Sequence, residues 1–145
     1  MQVCSVRFTS WGGKARAFGP MACVRTYEDA TPVRAQLDTP GLGRILVVDG
    51  GGSRRVALLG DKMATIGMKN GWQGVLIHGA VRDVDALAGL DFAVFALDRV
   101  PLRARHAGDS ESDTVLCFGH TIFTPGHWVA MDSDGVVVTA SSHAV

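Results

Sequence analysis

The sequence predicts an α/β fold, a mixed-sheet β/β/α sandwich with short helices in a single domain over residues 1–145. Three observations carry that prediction. Through the first two thirds of the chain, short apolar runs alternate with segments of helical pattern, which implies parallel strands under helical cover. The last third holds only short strands separated by turn signals, which implies a second, antiparallel layer. With 145 residues, 47% of them hydrophobic and 19% charged, the chain suits one folded core rather than a disordered segment.

Met21–Tyr27 is extended and contains Val, so it reads as a strand. Thr31 is placed to cap a helix with Pro32 at its first position, running to Leu37 before Pro40-Gly41 ends it. Arg44–Val48 (RILVV) is a buried strand closed by Asp49-Gly50-Gly51-Gly52, with Ser53 as a cap for the next segment. Asp61–Asn70 reads as a helix with Gly71 at its C′ position. Gln73–His78 is a second buried strand, Val84–Leu87 a short helix and Phe92–Ala96 a third strand. Thr114–Phe118, Thr121–Phe123, Trp128–Met131 and Val136–Thr139 close the chain as short strands, with turns at Pro125-Gly126 and Asp134-Gly135.

Charge and cysteine usage narrow the function. Fourteen basic and fourteen acidic residues cancel, whereas nucleic-acid binders carry a basic excess or stripe. Arg54-Arg55 and Arg103/Arg105 are the only local clusters, and no nucleic-acid partner is expected. Cys4, Cys23 and Cys117 are scattered and odd in number, which predicts three small buried apolar residues in a reducing compartment. No apolar run approaches the roughly 18 residues of a membrane span. No charged start leads into an apolar core either, so a cytoplasmic location without a membrane partner is expected. His78, His106, His120, His127 and His143 contain no metal-binding i,i+4 pair. Gly50–Gly52 is no phosphate loop, since no Gly-Lys-Ser/Thr comes after it; it predicts a close backbone approach instead.

Two loops can carry chemistry, each following an apolar strand, where α/β folds place ligands. Gly60-Asp61-Lys62-Met63 opens a helix, and free N–H groups there suit a carboxylate or phosphate. Gly79-Ala80-Val81-Arg82-Asp83-Val84-Asp85 comes after the strand QGVLIH. Arg82 offers a planar fork for a carboxylate, and Asp83 offers oxygen to a hard cation.

The stretches GRILVVDGGGSRRVALLGDKMA and NGWQGVLIHGAVRDVDAL, with the later TIFTPGHWVAMDSDGVVV, resemble one known family. It comprises the regulator of ribonuclease activity A and the 4-hydroxy-4-methyl-2-oxoglutarate aldolases. The resemblance implies a swivelling β/β/α domain assembled as a homotrimer, with active sites between subunits. The family's aldolases carry an Asp, twenty intervening residues, then Arg-Asp; Asp61 and Arg82-Asp83 match that pattern. Members that only regulate ribonuclease lack the second Asp, which this chain keeps. Ala86 stands where the aldolases have Glu or Asp, and Pro125-Gly126-His127 replaces the usual PGD turn. The family's leading helix is expected to be missing, with consequences for trimer stability.

By that resemblance the chain is a metal-dependent lyase releasing pyruvate from a small 2-keto acid, with oxaloacetate decarboxylation through the same enolate. Asp83 is the expected ligand of Mg²⁺ or Mn²⁺. Arg82 is the expected electrostatic catalyst and Asp61 the holder of a catalytic water. The N–H groups of Gly60, Asp61, Lys62 and Met63 are expected to bind the substrate carboxylate. The alternative is a non-catalytic regulator that binds ribonuclease E or a related partner.

Overall fold

Ile and Val runs too apolar to face water on either side make a parallel sheet with both faces covered. The computed structural model describes residues 1–105 and 108–142; His106 and His143 lie outside them. Strands β1 (Gln2–Val3) and β2 (Thr9–Ser10) precede the long β3 (Ala17–Thr26), helix α1 (Thr31–Leu37) and β4 (Ile45–Asp49). Then come α2 (Asp61–Lys69), β5 (Gly74–Val81), α3 (Val84–Leu87) and β6 (Ala93–Arg99). The remainder is β7 (Ser110–Ser112), β8 (Leu116–Phe118), β9 (Thr121–Phe123), β10 (Trp128–Asp132) and β11 (Gly135–Thr139). Strands β3 to β6 pair in parallel, in sequence order.

Two cores lie on the two faces of that sheet. Leu46, Val48, Val75, Ile77 and Val94 point to the helices and meet Val33, Leu37 and Leu87. Ile45, Val47, Leu76 and Phe95, their strand neighbours, point the other way and meet Val129, Met131, Val136 and Val138. The layers are therefore β, β and α, as the sequence predicts. No helix among the described residues is long and apolar enough to cross a membrane.

The antiparallel layer grows out of β3, which is longer than the predicted strand. Its first half, Ala17–Pro20, pairs with β10, and Met21–Arg25 pairs with β4. Gly19 marks the crossing: an added Cβ would lie 2.7 Å from the Gly43 carbonyl oxygen and 2.8 Å from Gln73 Nε2. Gln73 Nε2 donates to the carbonyls of Phe18 and Gly43, both at 2.7 Å, and closes the corner. Gly and Pro in β3 hid this half from a pattern search, because both are rare within strands.

Several local expectations need correction. Thr31 does not cap α1; it is the first helical residue, and the Asp29 carboxylate accepts its N–H at 2.9 Å. Ser53 caps no helix: its hydroxyl donates to Glu28 Oε2 at 2.6 Å. Strand β5 runs on through Gly79-Ala80-Val81, so only Arg82 onward is loop. Gly50–Gly52 does make the expected close approach, its two outer N–H groups both reaching the His78 carbonyl at 3.0 Å.

The cysteines are free, and Cys117 is exposed rather than buried. Burial pushes the Cys23 thiol up to about 12, and the nearby Asp113 charge adds to the effect. Burial also raises Cys4, against weaker opposing hydrogen bonds. Thiolate is the reactive form. An aromatic disulfide reagent at neutral pH should therefore titrate one thiol of the native protein quickly and the other two only on unfolding. A Cys117→Ser variant should remove the fast phase.

Candidate functional site

The candidate site is assembled where β5 ends and α2 begins. Residues 57–60 run beside the end of β5: Ala57 bridges Ala80, and Leu58 N–H donates to the Ala80 carbonyl at 2.9 Å. Arg82 N–H then donates to the Leu59 carbonyl at 2.9 Å. Those bonds seat the Arg82-Asp83 loop against the first turn of α2. The N-cap of α2 is Gly60, which has no side chain to satisfy the free N–H groups of the helix start. Asp83 supplies the missing acceptor from twenty-two residues away, its Oδ2 taking the Asp61 N–H at 3.1 Å.

Asp83 sits at φ 61°, ψ 42° in the left-handed region, which turns the chain from β5 into α3. Non-glycine residues are uncommon there, with Asp and Asn among the better tolerated. Arg82 Nε lies 3.9 Å from Asp83 Oδ2, close enough for charge attraction but beyond a hydrogen bond. Both side chains are about one third exposed, Arg82 at 36% and Asp83 at 33%, so the pair is half-buried rather than a free surface pair. Gly60 is required by this packing: a Cβ would fall 2.6 Å from Asp83 Oδ2 and 3.1 Å from Arg82 Nε.

Beside this junction lies a cavity of about 500 Å³. Gly60, Lys62, Met63 and Arg82 line one side of it. Asp61 and Asp83 flank it at the helix start without lining it. The expected anion cradle is thus partly occupied, since the Asp61 N–H is already bonded to Asp83. The N–H groups of Lys62 and Met63 have no acceptor among the described residues and are the ones left for a ligand. Thr31 and Arg34 of α1 line the cavity as well, as do Arg103 and Arg105 beyond β6. None of these four was singled out as a site residue from the sequence. The Arg103-Ala104-Arg105 spacing held a signal, since side chains two apart on an extended segment share a side.

The donor set constrains any cation. Among the described residues no three His, Cys, Asp or Glu side chains cluster as a metal cage. Asp61 and Asp83 present carboxylates at the helix start beside the cavity, and Asp83 Oδ2 is engaged by the Asp61 N–H. The residues fit a hard cation that keeps most of its shell as water or ligand oxygen, as Mg²⁺ does. They do not fit a tightly caged transition metal.

A second polar pair lies on the neighbouring strands. His78 Nδ1 is 3.4 Å from Asp49 Oδ1, and the imidazole stacks on Phe118 with centroids 4.6 Å apart. Burial alone would raise the Asp49 carboxyl. The His78 and Gly51 hydrogen bonds, with the charges of His78 and Arg25, outweigh it and hold the group below its ordinary value. A depressed carboxyl contributes stability above its unfolded pKa that is lost as pH falls through the folded value. Urea unfolding should therefore show stability declining below about pH 4, the ordinary Asp range, and Asp49→Asn should flatten that decline.

Comparison with known proteins agrees with this fold. The RraA-like family profile, described as Aldolase/RraA, matches residues 3–138. A protein of Aromatoleum aromaticum named "Putative 4-hydroxy-4-methyl-2-oxoglutarate aldolase" is 43% identical over 98% of this chain and 89% of its own. Among solved structures, one from Geobacillus kaustophilus is called an S-adenosylmethionine: 2-dimethylmenaquinone methyltransferase. It superposes with a TM-score of 0.95 at 43% identity, covering 99% of this chain and 90% of its own. The RNA-processing inhibitor RraA from Thermus does so at 0.93 and 36%, covering 97% and 85%. The β/β/α layers, the Asp61 and Arg82-Asp83 junction and these likenesses converge: the chain belongs to the RraA-like family of aldolases and RraA proteins.

Proposed function

We propose that this protein is a divalent-cation-dependent lyase that cleaves 4-hydroxy-4-methyl-2-oxoglutarate and decarboxylates oxaloacetate. The observation that carries the reading is the junction itself. Asp83, Arg82 and the start of α2 meet within hydrogen-bonding or ion-pairing distance at the edge of one cavity. The aldolase name of the 43% identical relative supports the same class. In the cleavage, the C3–C4 bond of the substrate breaks and the C4 hydroxyl gives up its proton. One pyruvate leaves directly; the other forms as an enolate that takes a proton at C3. Loss of CO₂ from oxaloacetate gives the same enolate.

The chain's own groups meet the needs of that reaction. The free N–H groups of Lys62 and Met63, at the positive end of α2, suit the C1 carboxylate. Arg82 faces the cavity and offers a fixed charge to the C2 oxygen, where negative charge develops. Asp61 stands on the first turn of α2, placed to hold a water, and Asp83 would hold the cation, Mg²⁺ or Mn²⁺. When bound, the cation supplies Lewis-acid stabilisation of the enolate charge. A homotrimer, implied by the family resemblance, is part of the same proposal.

Purified protein with Mg²⁺ should release pyruvate from both substrates in a lactate dehydrogenase-coupled assay, and a chelator should stop it. Rates equal to the protein-free control on both substrates would end this reading. The likeness to the Thermus RNA-processing inhibitor favours a second reading, a regulator that binds ribonuclease. Capture of ribonuclease E that is indifferent to chelator and to Asp83 substitution would support that one instead.

A further inference from the structure

The proposed chemistry uses only one end of the cavity. Its C1 and C2 groups are met by α2 and Arg82, which leaves Arg34, Arg103 and Arg105 on the other walls without a role. Together with Lys62 and Arg82 they place five cationic side chains around one cavity, and among the described residues no carboxylate lines it. A chain with fourteen basic and fourteen acidic residues has therefore sorted its charge at this place. Three arginines elsewhere are paired with carboxylates: Arg25 with Glu111, Arg54 with Asp98 and Arg55 with Glu28. Lys62, Arg103 and Arg105 have no acidic partner within 4 Å among the described residues, and Arg34 reaches Asp38 only at 3.8 Å.

Like charges gathered in a concavity repel, and a low-dielectric wall strengthens the effect. Such a cluster is stabilised by an anion carrying more than one negative charge. The backbone holds the two arginines of the 103–105 segment in place. Ala57 N–H donates to the Leu102 carbonyl at 2.8 Å, and Ala104 N–H donates to the Ala57 carbonyl at 3.0 Å. That register ties Arg103 to the strand edge leading into Gly60. Arg34 comes from α1 on the facing wall, where Thr31 also lines the cavity.

We infer that Arg34 and Arg103, with Arg105, form a distal anion subsite that selects 2-oxo acids bearing a second carboxylate. The inference rests on the lyase reading for the seating of the 2-oxo end at α2 and Arg82. An arginine fork matches a carboxylate in two parallel bonds, and charge-assisted bonds of that kind discriminate strongly against an uncharged end. The site therefore prefers dicarboxylate 2-oxo acids to monocarboxylates of equal length.

Titration calorimetry tests this with 2-oxoglutarate and 2-oxopentanoate, which share the 2-oxo end and differ in the far carboxylate. Both are measured in Mg²⁺ buffer at one fixed ionic strength. The native protein should bind 2-oxoglutarate about tenfold or more tightly than 2-oxopentanoate. In Arg34→Gln/Arg103→Gln the ratio should collapse to about threefold or less; both side chains are exposed, so the fold should tolerate the change. A native ratio near one, a ratio preserved in the double variant, or no binding of either acid would overturn the inference. Pyruvate release from oxaloacetate and 4-hydroxy-4-methyl-2-oxoglutarate is assayed in parallel. A collapsing ratio in a protein that releases no pyruvate leaves the subsite standing and removes the lyase. Pyruvate release with a ratio of one does the reverse.

Discussion

Asp83→Asn should lower pyruvate release by about a thousandfold while leaving the protein folded. Asparagine keeps an oxygen in place to accept the Asp61 N–H that Asp83 Oδ2 accepts at 3.1 Å. It also tolerates the left-handed backbone of this position, φ 61°. What disappears is the negative charge. A cation held mainly by water has then lost the one protein group that would anchor it, and Lewis-acid stabilisation worth several kcal/mol corresponds to roughly three powers of ten in rate. Asp83→Ala should add a structural penalty. The lost cap costs about 1 kcal/mol, and an alanine at positive φ costs about 1–2 kcal/mol more. Steady-state rates and urea unfolding on both variants separate the two effects. Calorimetry with Mg²⁺ and pyruvate should show heat with the native protein and none with the asparagine variant. Should Asp83→Asn retain activity within tenfold of native, the carboxylate does not seat the cation.

The difference between what residues 61 to 83 reveal as a string and as a structure is physical. The runs RILVV and QGVLIH are apolar throughout because both faces of the sheet are covered, so the parallel core was legible from composition and length. The helix at Asp61 and its end at Gly71 were legible too, since Gly71 takes φ 91°, a conformation that favours glycine. The cap was not. A helix with glycine at its N-cap looks uncapped in sequence, and nothing local reveals that an aspartate beyond the next strand will supply the oxygen. Strand β5 obscured the loop for a related reason. Its last residues, Ala80 and Val81, pair with β6 only after a register shift that spans Gly79, and glycine weakens any strand pattern. Arg34 and Arg103 reach the cavity from two other elements, and only the tertiary fold shows that they share it. The odd cysteine count argued correctly against a disulfide framework, yet it could not show that Cys117 sits on the outward side of β8.

Gly60→Ala should disable the site with little damage to the fold, and it tests the junction without touching a charged group. Gly60 has φ −125° and ψ −173°, extended backbone open to any residue. The cost therefore comes from space alone. A methyl group 2.6 Å from Asp83 Oδ2 and 3.1 Å from Arg82 Nε cannot coexist with either side chain where it stands. Asp83 is the end of a short side chain on a backbone tied down by Arg82 N–H to Leu59, so it must swing away from the helix start. That swing removes the α2 cap at about 1 kcal/mol. It also displaces both the carboxylate and the guanidinium by a distance of the order of 1 Å, a misplacement that costs up to about a hundredfold in rate. Turnover should fall more than stability warrants, and Gly60→Ala combined with Asp83→Asn should be hardly worse than Asp83→Asn alone, because both act through one carboxylate. Fully additive losses would mean that Gly60 serves the site by some route other than making room for Asp83.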